Sequence, residues 1–341
     1  MVRPRSRLWC AFTATVFAVI GCGSPSEVLV SPERPTPCVQ GTTVCAERVL
    51  IAPGLFLPVH STHSLEQRDD QVTRAIVVVH GSDRNGDDYF ERVVAPTDAL
   101  GLLNETLVIA PTFQTSDDAP RADEPYWTSG GWKKGHLSSS SGPSPRVSSY
   151  AAIDRILEIV LDGGRFPSVD EIVVTGHSAG GQVAHRFAGA SRIENGSTAS
   201  FRYVVANPST YVYVGPELDG PSGFTPPSRA GCPDYDDWHY GLLELNSYAS
   251  AVTPDSIRAQ LVRRDVRILL GDADSLSASL DVTCGANLQG RHRFERGRTL
   301  VRYMDALHLG HGHVEMVVPG VGHSSTRMYG SSVGREALFG E

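Results

Sequence analysis

The chain has little of what marks several large functional classes. No basic run occurs outside its extreme N-terminus, and a formal net charge of −8 leaves acidic residues in excess. Binding a nucleic-acid backbone requires concentrated Lys and Arg, so that class of partner is excluded. No C-x-x-C pair is present, which argues against a zinc site. No internal repeat is found, which argues against a repeat array. The apolar run Leu8 to Ile20 is too short to span a bilayer. What remains is a chain of 341 residues with 40% hydrophobic content, enough to bury a large core in one domain with insertions.

The N-terminus reads as a targeting segment. "MVRPRSR" supplies Arg3, Arg5 and Arg7 ahead of the thirteen-residue apolar run, and "VIGC" resembles the lipobox of bacterial lipoproteins. Residues 1–21 are then a signal peptide, and Cys22 takes the lipid and attaches the exported protein to a membrane. An ordinary cleaved signal peptide is the alternative, and it too implies export. Residues 22–44 read as a Ser/Pro-rich tether, and residues 45–341 as the folded domain. Cys10 leaves with the signal, so Cys38, Cys45, Cys232 and Cys284 remain, an even number that suits two disulfides outside the cytosol. Three pairings are possible. Cys38 with Cys45 and Cys232 with Cys284 needs the least chain reorganisation, and the second bridge would close a loop of about fifty residues, worth roughly 4 kcal/mol.

Beyond the tether, β-rich runs alternate with amphipathic helices. Residues 75–81, 106–113, 171–176, 201–209, 266–272 and 313–320 are rich in Val and Ile with little internal alternation, as expected of strands covered on both faces of a mostly parallel sheet. Helical spacing runs through 149–164, 181–190, 254–264 and 298–309. "CAERVLIAPGLFLPVH" adds one or two antiparallel edge strands. The predicted class is α/β, doubly wound. Two segments, 114–148 and 210–250, interrupt the rhythm just after strands, at the carboxyl ends where such folds bind ligands. Trp127 and Trp132 in the first are candidate substrate contacts. Tyr211, Tyr213, Tyr235, Trp238 and Tyr240 in the second either join them or only pack the loop down.

"GHSAG" at 176–180 matches G-x-S-x-G between a strand and a helix, the nucleophile elbow of α/β-hydrolases. Ser178 needs a base to take its proton and an acid to orient that base, in the chain order Ser, acid, His. "VPGVGHSS" puts His323 after the last strand. "GDADS" offers Asp274 as the preferred acid, with Asp272 and Asp281 as alternatives. The backbone amides of Ala179 and Ser82 are the expected oxyanion donors, and His80 is expected to orient the Ser82 loop. His308, His311 and His313 are spaced like metal ligands but without an adjacent acid, and a polar turn is the preferred account. His177 and His185 are given no catalytic role.

"HGSDRNGDDYF", "GHSAGGQVAHR", "GDADS" and "VPGVGHSS" together resemble secreted α/β-hydrolases. "CGANLQGRHRFERG" resembles a branch grouped with polyhydroxyalkanoate-depolymerase-like and feruloyl-esterase-like proteins. The resemblance spans about residues 45–330 and departs from the depolymerase elbow at His177. It implies a serine esterase acting on a small or polymeric ester through Ser178, Asp274 and His323; the chain is expected to be a monomer and to use no metal or organic cofactor. A peptidase or acyltransferase on the same triad, or an inert lipid-anchored binding protein, are the alternative readings.

Overall fold

A computed structural model describes Met1 and residues 36–340 of the chain. The expected signal peptide beyond Met1, with Cys10 and Cys22, lies outside the described residues. The folded unit begins at Thr36, earlier than the tether boundary drawn from composition. The reason is local: Cys38 is bonded to Cys45, its amide donates to the Thr62 carbonyl, and the Gly41 amide donates to Glu91.

Eight strands form one sheet: β1 (Ala46–Ala52), β2 (Leu55–Ser61), β3 (Arg74–Val79), β4 (Thr106–Pro111), β5 (Glu171–His177), β6 (Ser200–Ala206), β9 (Asp265–Gly271) and β10 (His313–Val318). Two short strands, β7 (Leu218–Gly220) and β8 (Gly223–Thr225), make a separate hairpin inside the second insertion. The sheet order is β1-β2-β4-β3-β5-β6-β9-β10. β1 and β2 are antiparallel at one edge, and β3 to β10 run parallel in the main sheet. This is an α/β-hydrolase fold.

Alternation along β3 explains why both faces must be covered. Ala75, Val77 and Val79 enter one buried cluster, while Ile76 and Val78 enter the other. On the first face pack α2 (Ser149–Leu161), α3 (Ala179–Ala190), α4 (Pro254–Arg263) and α6 (Arg293–Leu307), with the short α5 (Cys284–Asn287) leading into α6. On the second pack α1 (Gly86–Ala99), α7 (Ser325–Gly330) and α8 (Ser332–Phe339). The helix expected at 298–309 starts at Arg293, because the His292 ring caps it by accepting from the Glu295 amide. The chain leaves β3 to build β4 outward and then returns to place β5 on β3's other side. α1 and α3 therefore depart to opposite faces, and the crevice between them is the topological switch point.

Candidate active site

Ser178 lies in that crevice with φ of 60° and ψ of −115°, a left-handed region that non-glycine residues seldom occupy. Its neighbours make this turn possible. A Cβ on Gly176 would lie 2.3 Å from the Gly180 backbone, and one on Gly180 would lie 2.0 Å from the Val79 carbonyl oxygen. Only hydrogen fits at either position, which is the physical content of the two glycines in G-x-S-x-G. The Ser178 amide donates to Ala206 O at 2.9 Å, tying the elbow to the end of β6.

A cavity of about 320 Å³ opens over the turn. It is lined by Ser178, His323, His177, Ser82, Arg92 and Ser279 among others. His323 donates from Nδ1 to Asp274 Oδ2 at 2.7 Å, and Asp274 is 1% exposed while His323 is 30% exposed. An ionised carboxylate only accepts, so the ring's proton sits on Nδ1 and the Nε2 lone pair is free for a proton from elsewhere. Asp272 has a different partner: its Oδ1 accepts from the Gly320 amide at 2.7 Å and closes the turn after β10. Asp281 accepts from the hydroxyls of Tyr240 and Thr283. Of the three candidate acids, Asp274 alone is bonded to His323.

The Ser82 loop is held from beneath. His80 is fully buried, and its Nε2 accepts from the Phe113 amide at 2.9 Å, so Nδ1 carries the proton and donates to Gly81 O at 2.8 Å. Burial pushes this ring's pKa down to about 4, keeping it neutral. Among the described residues the Ser82 amide has no acceptor, and the Ala179 amide opens helix α3, where an N–H lacks a helical partner. The Ala179 amide lies at the N-terminal end of this helix, whose dipole favours negative charge.

The structure corrects the expected role of the two tryptophans. Trp127 and Trp132 are 1% and 0% exposed and do not line the cavity. Trp127 donates to the His136 and Val147 carbonyls, and Trp132 packs against His80 and Phe113. Burying two indoles stabilises this long loop more than exposing them would, and they buttress the His80 loop instead of meeting substrate. In the second insertion Tyr211 and Tyr213 are likewise buried, while Tyr240 reaches Asp281.

Three residues near the cavity carry no sequence signal strong enough to assign them a part in it. The His177 ring lies against His323, with centroids 4.4 Å apart, and burial holds it well below an ordinary histidine pKa, with the nearby His323, Arg293 and Arg92 adding to the effect. A neutral His177 adds no positive charge beside His323. Asn207, at φ 41°, accepts from the Gly271 amide and donates to Gly322 O, linking the ends of β6 and β9 to the His323 loop. Its place directly after "YVVA" is a usable clue, since Asn tolerates positive φ. Arg293 is 1% exposed, stands 3.6 Å from Asp274, and donates to the Ala278 and Ser279 carbonyls of the loop bordering the cavity.

The other histidines take separate partners. His311 pairs with Asp305 of α6, so an acid does reach this cluster, and its Nδ1 accepts from the His313 amide. His185 accepts from the Val212 amide in the core. No group of three or more His, Cys, Asp or Glu side chains among the described residues is arranged to hold a metal ion.

No protein-family model and no curated protein matches the chain. Among solved structures it is similar to poly(aspartic acid) hydrolase-1 from Sphingomonas sp. KT-1, with 24% identity and a TM-score of 0.58 over 83% of this chain and 94% of that one. It is also similar to a poly(3-hydroxybutyrate) depolymerase from Bordetella parapertussis, with 23% identity and a TM-score of 0.55 over 82% of this chain and 86% of that one. At these identities the likeness is one of fold.

Proposed function

We propose that the chain is an exported serine hydrolase that cleaves carboxylic esters through a covalent acyl-enzyme. The observation that supports this best is the pairing of His323 with Asp274 at the rim of the same cavity as the strained Ser178. In this reading Ser178 Oγ attacks the ester carbonyl carbon while its proton passes to His323 Nε2. The carbonyl π-electrons move to oxygen, which the Ser82 and Ala179 amides receive. The tetrahedral intermediate then expels the alcohol, which takes the proton from His323. Water, deprotonated by the same ring, releases the acid and restores Ser178.

Two solved structures of the same fold are named as a poly(aspartic acid) hydrolase and a poly(3-hydroxybutyrate) depolymerase, and both names describe cleavage of acyl bonds. We carry over that reaction class and neither polymer. The two disulfides, Cys38–Cys45 and Cys232–Cys284, support export, since such bonds persist in oxidising compartments. No helix among the described residues is long and apolar enough to cross a membrane. Attachment through a lipid on Cys22 remains part of the proposal, and a mass shift on the N-terminal peptide tests it.

The decisive experiment is labelling with a fluorophosphonate together with p-nitrophenyl ester turnover. Ser178→Ala is expected to abolish labelling and to lower kcat by roughly 10⁴ to 10⁶, with an unchanged circular dichroism spectrum. Wild-type protein that neither labels nor turns over any ester would favour the binding-protein alternative.

A further inference from the structure

The chain contains only two lysines, Lys133 and Lys134, and they are adjacent in the first insertion. Their backbone is unusually well anchored. Lys133 O accepts from Tyr150 Oη and from Arg186, and Lys134 O accepts from Trp238 Nε1 and Asn246 Nδ2. Trp132 below them is fully buried, and Gly135 after them adopts φ of 77°, a turn in which an added Cβ would strike the Tyr150 ring at 2.7 Å. The base of each lysine side chain is therefore fixed.

Their ammonium groups are not matched by acids. Among the described residues neither forms an ion pair, and Lys133 Nζ donates instead to Ser82 Oγ at 3.4 Å. Ser82 lines the Ser178 cavity. The carboxylate whose charge acts on Lys133, Lys134, Arg186 and Arg296 is in each case Asp281. Both oxygens of Asp281 are already engaged by Tyr240 and Thr283. Arg84, which also faces Lys133, is committed to Asp118 through two nitrogens. In a protein with eight more acidic than basic residues, Lys133 thus stands beside Ser82 without a carboxylate partner, while the exposed Asp83 lines the same cavity. Half-buried, Lys133 is held below the ordinary lysine range chiefly by desolvation, with Arg186 adding to it. An anion beside it would offset both effects.

The direction of the chain in the site follows from the proposed reaction. The leaving alcohol must face His323 to collect its proton, which leaves the rest of the cavity, bordered by Ser82 with Lys133 beside it, to the acyl part. We propose that Lys133 recognises a carboxylate on the acyl chain, and that the preferred substrates are esters of dicarboxylic or otherwise anionic acyl groups. This rests on the esterase reading above and adds a substrate class to it.

The test compares mono-p-nitrophenyl adipate, which carries a free carboxylate, with its neutral methyl ester. The wild-type protein is expected to favour the anionic ester in kcat/KM by about tenfold or more, with the preference shrinking as salt is added. Lys133→Gln is expected to bring that ratio down to about one, and Lys133→Arg to keep most of it. A wild-type ratio near one would overturn the proposal. So would a Lys133→Gln variant in which both esters slow in parallel, because Lys133 would then be only a strut for the Ser82 loop. If Ser178 still takes the fluorophosphonate while the ratio is one, the charge preference fails and the esterase reading stands. If neither ester reacts and no label is taken, the esterase reading itself fails.

Discussion

At Asn207 one side chain does the work of a joint. Its carbonyl oxygen receives the Gly271 amide at 2.9 Å, its amide reaches Gly322 O and the neutral His177 ring at 3.5 Å, and its backbone sits at φ 41°. Asn207→Ala would leave the buried Gly271 N–H without an acceptor and put a Cβ-bearing residue with no local hydrogen bond into a left-handed turn. The expected loss is about 2–3 kcal/mol in urea unfolding, together with a fall in kcat, since the His323 loop loses its tie to β6. Unfolding at the wild-type midpoint would show that Asn207 carries no such load. Asp272 and Asp274 make a similar point. They are two residues apart in one loop, yet one closes a turn on Gly320 and the other holds an imidazole.

Among the elements, the two insertions decide the character of the site. The first folds its indoles inward and sends the half-buried Lys133 ammonium to Ser82. The second is clamped to the first through Trp238 and Asn246. It is also clamped to the stretch that runs from Asp274 past Ser279 to α5, because Cys232 is bonded to Cys284. Cys284→Ser should lower stability by about 4 kcal/mol for a loop of 52 residues on the chain-entropy account. It should lower kcat as well, because the carbonyls of Ala278 and Ser279 that Arg293 holds lie on the released stretch. The measurements are guanidinium unfolding and ester turnover, and undiminished turnover with the bridge demonstrably open would contradict the coupling.

For the whole molecule, the buried histidines set the response to acid. His80, His177, His185, His239 and His313 are all held below 6.5, with burial the largest cause at each; His80 falls to about 4 and His313 to about 3. In the unfolded chain each titrates near 6.5. As the pH falls below about 6.5 the unfolded chain takes up protons that the folded one refuses, so stability is lost progressively until the folded values are reached. Above about 6.5 these groups are neutral in both states and contribute no slope. Half-buried Glu47 and Asp154 and buried Asp236, which are pushed up, act in the opposite sense. His80 isolates the effect, with a window from 6.5 to about 4 worth at most roughly 3 kcal/mol. His80→Gln should flatten the pH dependence of unfolding free energy across that window relative to wild type, and an unchanged slope would contradict this account.

Much of the fold is legible in the sequence itself. The main-sheet strands β3 to β10 stand out as Val/Ile runs, because a strand buried on both faces has no room for alternation. The elbow is legible because two glycines and a serine between a strand and a helix allow few other geometries. Helix α1 is not, since Pro96 and a row of acidic residues mask its periodicity. The tryptophans mislead because an aromatic ring in a long loop reads the same whether it faces the core or a ligand. The tertiary structure alone decides which aspartate meets His323, and where the two lysines point. Those outcomes depend on contacts between segments dozens of residues apart, and local propensity holds no record of them.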